Sequence, residues 1–146
     1  MPDWCLTTSP DNLARTAELG WTMQGLKSRR RRTAERLRAG DTITYYLTGA
    51  VAFGAVVQVT GPCFEDHDPV WTSNPGEDYP WRVPIRPDVV IANPQAWVPV
   101  VELRDRLEHV RKWPVEHWTL AFQGNIREWP AGDVAVVRAA LLEAAG

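Results

Sequence analysis

Eight tryptophans and a run of four arginines are the side chains best suited to chemistry in this 146-residue sequence, and the chemistry they suit is binding. An indole buries a large flat area and carries one N–H donor, so it serves as core filler or as a wall on which a planar ligand stacks. Several of the eight adjoin polar, proline or arginine neighbours, as Trp81 does between Pro80 and Arg82. Arg29, Arg30, Arg31 and Arg32, with Lys27 just ahead, concentrate positive charge in a chain whose net charge is only −2. A charged patch acts within a Debye length of about 8–10 Å, so a basic face on a nearly neutral domain still attracts phosphate. Four consecutive arginines cannot share one helical face, and the run reads either as a solvated basic helix or as a phosphate track.

Catalytic patterns are missing from the sequence. It has no G-x-S-x-G elbow, no Walker-type loop, no GxGxxG and no HExxH, so no catalytic residue is assigned and no enzyme activity is expected. Cys5, inside the first strand, reads as a buried thiol rather than a nucleophile. Glu65-Asp66-His67-Asp68 lacks the spacing of an EF-hand or a zinc cluster and reads as a solvated loop, while His109 and His117 are too far apart to suggest a pair. Neither metal nor cofactor is expected. Cys5 and Cys63 have hydrophobic neighbours and no CxxC spacing, which predicts reduced thiols in a cytoplasmic protein. Met1-Pro2-Asp3 leads straight into a strand without a leader pattern, and no apolar run approaches bilayer length, so no membrane partner is expected.

The elements that must position these residues follow from pattern. Trp4 to Thr8 reads as a strand, Ser9-Pro10 as a helix start, Asp11 to Leu19 as a helix that Gly20 ends, and the stretch from Trp21 to Gly25 as irregular. A basic helix is expected from about Ser28 to Leu37, then the turn Ala39-Gly40-Asp41 and a hairpin of Thr42 to Leu47 with Val51 to Thr60. Phe64 to Tyr79 reads as an exposed acidic loop. Trp81 to Val90 is a strand whose Pro84 and Pro87 demand an edge position or a bulge. Further on, Val101 to Val110 has helical spacing, Trp118 to Phe122 reads as a strand, Gly124-Asn125 as a turn, and Asp133 to Ala145 as a helix capped by Asp133. No linker divides residues 1–146, so one α+β domain with a small curved sheet or barrel is expected.

The motif order carries a resemblance. Trp4-Cys5-Leu6-Thr7-Thr8-Ser9-Pro10, the Gly40-Asp41 turn leading to Tyr45-Tyr46, Gly54 to Val59, Tyr79-Pro80-Trp81-Arg82-Val83, and Trp118 through Phe122-Gln123-Gly124 to Ile126-Arg127-Glu128 together resemble the EVE domain. That family belongs to the PUA-like superfamily, which includes the YTH readers of methylated adenine. The likeness covers nearly the whole chain. It implies a PUA-like pseudo-barrel of five to six antiparallel or mixed strands flanked by helices, and a pocket for a flipped, often modified base in DNA or RNA.

A flipped base needs aromatic faces to replace lost stacking, worth about 1–3 kcal/mol per base, and a few polar groups to read its edge. By position in the resemblance, Trp4, Trp21 and Trp81 are the expected walls, with core packing the rival reading for each, and Trp71, Trp97, Trp113, Trp118 and Trp129 are the packing residues. Arg82, inside a strand, must find either a ligand or an acidic partner such as Asp41. Thr7 offers a hydroxyl to a base edge, Ser9 does so or caps a helix, and Tyr46 faces either core or pocket. Lys27 and Arg29 to Arg32 adjoin the expected pocket and would hold phosphates. A free nucleobase or nucleoside in the same pocket, or a protein partner on exposed tryptophans, are the competing readings.

Overall fold

Ser9-Pro10 sets the first boundary physically. The Ser9 backbone is extended, its hydroxyl accepts a hydrogen bond from the Asn12 amide at 3.1 Å, and Pro10 fills the first helical position, where a missing N–H costs nothing. Gly20, at φ +74°, ends the helix. The computed structural model describes residues 2–73 and 77–145. Among the described residues eight strands form in chain order: β1 (Asp3–Thr8), β2 (Met23–Leu26), β3 (Thr42–Leu47), β4 (Ala52–Val59), β5 (Phe64–Glu65), β6 (Trp81–Val90), β7 (Val98–Pro99) and β8 (Ile126–Trp129). Four α-helices accompany them: α1 (Pro10–Glu18), α2 (Arg31–Arg36), α3 (Glu108–Arg111) and α4 (Ala131–Ala145).

The sheet runs β2-β6-β4-β3-β1-β8, with β5 on β6 and β7 on β4 as short additions. β1 and β3 are parallel, Trp4 opposite Ile43 and Thr7 opposite Tyr46, and the remaining pairs are antiparallel. A parallel pair needs a crossover, which the segment carrying α1, β2 and α2 supplies. This is the mixed, curled half-barrel with flanking helices that the motif order implies. Strand alternation divides its core. Trp4, Leu6, Ile43, Tyr45 and Leu47 point to one side with Leu13 and Leu26, while Cys5, Tyr46, Phe53 and Val56 point to the other under Leu107, Val137 and Leu141.

Several expectations change. The irregular stretch after Trp21 contains β2, whose Gly25 lies against the Trp71 ring so closely that a Cβ there would fall 2.4 Å from a ring carbon. A strand carrying glycine and glutamine has weak propensity, and packing decides it. The basic helix is broken: Ser28–Arg30 is a 3₁₀ turn and only Arg31–Arg36 is α-helical, because Arg30 sits at φ −102°, ψ 23°. Pro87 occupies the β4–β6 register shift, as a proline in a paired strand must. The stretch 101–110 is not one helix but two 3₁₀ turns leading into α3. Residues 118–122 are likewise 3₁₀, and the strand lies after the turn, at β8. Asp133 caps a different helix: its carboxylate accepts from the Glu108 amide at 2.7 Å and the His109 amide at 2.8 Å. Of the predicted 64–79 loop, residues 74–76 lie outside the described residues. No helix among the described residues is long and apolar enough to cross a membrane.

The Gly25–Trp71 contact yields a test. Gly25→Ala must displace an indole that is itself hydrogen-bonded, and overpacking of this kind costs about 1–3 kcal/mol. The expected outcome is a lower urea midpoint with an unchanged slope.

Candidate nucleic-acid interface

A cleft of about 530 Å³ opens where the C-terminal ends of the parallel strands β1 and β3 meet the start of α1. That volume falls within the range of small-molecule sites. Thr7, Thr8 and Ser9 line it from the chain leaving β1, Asn12 from α1, Lys27 and Arg29 from the segment after β2. Opposite stand Thr72 and Tyr79 of the loop before β6, and Gly124 and Asn125 before β8.

Each wall is held by polar contacts that the sequence supplies locally. Asn12 faces the loop as one amide faces another, its Nδ2 donating to the Thr72 carbonyl at 2.8 Å and its Oδ1 accepting from the Thr72 amide at 2.9 Å. One of its two side-chain N–H donors remains for a ligand. Thr7 Oγ1 donates to the Phe122 carbonyl at 2.7 Å, and the Thr7 amide donates to the Asn125 carbonyl at 2.8 Å. Gly124, at φ +91°, allows the turn that brings Asn125 there. Tyr79 lines the cleft and is otherwise buried. Behind this wall a buried relay fixes the loop: Trp71 Nε1 donates to Thr16 Oγ1 at 2.9 Å, Thr16 Oγ1 lies 3.0 Å from Gln24 Oε1, and Tyr45 donates to the same oxygen at 2.8 Å.

Charge at the cleft is positive. Lys27 and Arg29 contribute cations and Asp11 a single carboxylate. Of the arginine run only Arg29 lines the cleft. Arg30 lies beside Gly124, with Nη2 3.4 Å from where a Cβ would stand. Arg31 pairs with Glu35 at 3.4 Å and lies 5.0 Å over the Trp81 ring, and Arg32 is exposed on α2. The 3₁₀-to-α break at Arg30 is what separates Arg29 from its neighbours.

The aromatic residues expected at the pocket are elsewhere. Trp4 is 1% exposed, and its N–H donates to the buried Asp41 carboxylate at 3.1 Å, because an indole inside a central strand must satisfy its donor internally. Tyr46 stacks on Phe122 at 4.0 Å in the core. Trp21 packs 5.7 Å from Tyr45 and lines a second, apolar groove. Trp81 donates to the Ser28 carbonyl at 2.8 Å and carries Arg31 on its face. Arg82 is 1% exposed and serves as a strut. Its guanidinium donates to the carbonyls of Tyr79 and Asp68, approaches Asp66 Oδ2 at 3.3 Å and lies 5.1 Å over Trp71; Asp41 is not its partner. Thus the structure brings Thr7, Ser9, Lys27 and Arg29 together, while Trp4, Trp21, Tyr46, Trp81 and Arg82 stand outside the lining. Asn12, Thr72, Tyr79 and Asn125 complete it. An asparagine in the first turn after Ser-Pro and another in a Gly-Asn turn were signals available in the sequence.

No family profile matches the sequence, and none of the curated proteins does. Solved structures do match. The YTH domain of MmI1 superposes with a TM-score of 0.69 at 11% identity, over 99% of this chain and 98% of that one. Human THYN1, solved in complex with 5-methylcytosine-containing DNA, superposes with a TM-score of 0.61 at 12% identity, over 96% and 98%. This chain has the fold of the EVE and YTH domains. A complex of mmi1 with RNA gives 0.64 at 10% identity, over 95% and 81%. In this half-barrel, burial pushes the Cys5 thiol far above its ordinary value. Among the described residues no three His, Cys, Asp or Glu side chains gather as a metal site.

The loop before β6 is also tied by charge. His67 bridges Glu65 at 2.7 Å and Asp78 at 2.6 Å; these hydrogen bonds, Glu65 first, hold the imidazole above its usual pKa, while His67 holds Asp78 below the usual carboxylate range. The raised histidine contributes fully below its ordinary 6.5 and is lost as pH rises through the elevated value. The lowered aspartate contributes above its ordinary 3.8 and is lost as pH falls through the depressed value. Hydrogen exchange in residues 64–72 is therefore expected to be slowest, after correction for the intrinsic rate, between those limits, and His67→Ala to flatten the profile.

Proposed function

We propose that this protein is a non-catalytic nucleic-acid-binding module that accepts a flipped, modified base in the cleft beside α1. The observation that carries the reading is the cleft itself: hydroxyl, amide and phenol groups line it, two cations stand at it, and it occupies one end of a fold shared with THYN1 and the YTH domain of MmI1. THYN1 was solved with 5-methylcytosine-containing DNA, and mmi1 with RNA. Among the side chains that line the cleft, Tyr79 is the one aromatic, so edge recognition outweighs stacking here. Asn12 Nδ2, Tyr79 Oη and the hydroxyls of Thr8 and Ser9 would read the base edge, each hydrogen bond contributing about 0.5–1.5 kcal/mol. Lys27 and Arg29 would hold the flanking phosphates. Trp4, Tyr46 and Arg82 act through the walls they support rather than by contact.

Salt dependence tests the phosphate assignment. Each phosphate contact contributes about 0.7–0.9 to the slope of log affinity against log salt. Lys27→Ala with Arg29→Ala is expected to reduce that slope by about 1.5, measured by fluorescence anisotropy with a 5-methylcytosine oligonucleotide, whereas Arg32→Ala leaves it unchanged. An equal loss from Arg32→Ala would move the phosphate track onto α2. Thermal stabilisation by free nucleosides, with none from any oligonucleotide at low salt, would replace this reading with that of a nucleoside-binding protein.

A further inference from the structure

On the opposite flank of α1 lies a second groove of about 360 Å³, different in character from the first. The side chains of Ala14 and Ala17 leave room along the helix, Val90 and Ile91 at the end of β6 form apolar surface, and Trp21 and Trp97 line it as well. Two features set it apart from an accidental dip. Trp21 has φ +58°, a left-handed conformation that a bulky residue rarely adopts and that glycine or asparagine would take more readily. Trp97 is held in place by its N–H donating to the Ile91 carbonyl at 3.0 Å, and it packs where Gly54 has no side chain. Both indoles are half-buried.

The charges are one-sided. Asp11 and Glu18, seven residues apart and so on one face of α1, both line the groove, and no lysine or arginine does so among the described residues. Asp11 also borders the Lys27–Arg29 cleft, but here Glu18 joins it and no cation among the described residues offsets the pair, which separates this groove from that cleft and argues against a phosphate backbone in it. An occupant must bring apolar surface for the indoles and positive charge for the carboxylates.

We propose that the Trp21–Trp97 groove docks a partner protein through a segment that presents a large apolar side chain flanked by lysine or arginine. The interaction leaves the nucleic-acid cleft free, so that one small domain holds both ligands. It does not rest on the nucleic-acid reading, since Asp11 is the one side chain that the two sites share.

The test is an NMR titration of the whole chain with two blocked pentapeptides, Lys-Phe-Leu-Arg-Lys and Glu-Phe-Leu-Glu-Glu. The basic peptide is expected to move the amides of 13–21 and 90–97, and the acidic one to leave them in place. Glu18→Lys is the safe variant, because the residue is exposed in the last turn of α1, where a cation suits the helix dipole. It is expected to weaken the basic peptide about 3- to 10-fold without moving the melting temperature. Trp21→Gly is expected to abolish binding. Equal binding of both peptides, shifts confined to the Asn12–Thr72 cleft, or no shift up to millimolar peptide would overturn the proposal. So would sedimentation showing that the groove is closed by a second copy of the chain.

Discussion

A guanidinium that reaches almost no solvent is the constraint on which this molecule turns. Removing an unpaired charge from water costs several kcal/mol, so Arg82, once placed inside β6 and facing inward, obliges the chain before it to supply partners. It does so with two backbone carbonyls, those of Tyr79 and Asp68, and with the Asp66 carboxylate, which means that the acidic loop must fold back over the strand rather than project from it. Trp71 then closes over the guanidinium, and Gly25 has no side chain because the indole occupies that space. The consequence reaches the cleft: with Trp71 fixed, Thr72 meets Asn12, and Tyr79 stands at the opposite wall. Of the two readings the sequence leaves open for Arg82, ligand contact or a structural ion pair, the contacts here are those of a strut behind the cleft wall.

The two sides of α1 differ in charge. The same helix shows Asn12 and the capped Ser9 to a cationic cleft, and Ala14, Ala17 and Glu18 to an apolar, acid-lined groove. Only Asp11 belongs to both. A helix of nine residues can serve two surfaces because its faces are about 100° apart per residue, and because the parallel β1–β3 pair pins its start beside the sheet.

The family of folds could be read from the order of motifs, since Ser9-Pro10, Gly40-Asp41 and the Tyr79-Pro80-Trp81-Arg82 segment each encode a local geometry that survives in three dimensions. Helix ends set by backbone chemistry, such as Gly20, were equally readable. What escaped was decided by contacts distant in sequence. β2 forms because β6 pairs with it, despite its glycine. Asp133 looks like its own helix cap and instead holds α3, twenty-four residues earlier. The tryptophans were the hardest case: an indole tells nothing of whether a carbonyl, a carboxylate or a ligand will take its N–H, and Asp41, Ser28, Ile91 and Thr16 took those of Trp4, Trp81, Trp97 and Trp71.

The polar cleft beside α1, rather than an aromatic cage, is the proposed seat of the base. Chemical-shift mapping with a short oligonucleotide carrying one modified base, set against the same strand unmodified, tests it directly. Modification-dependent shifts are expected at the amides of Thr8, Asn12, Thr72, Tyr79 and Gly124, with little change at Trp4 and Tyr46. Modification-dependent shifts centred on Trp21 and Trp97, with the Asn12–Thr72 wall unmoved, would contradict it.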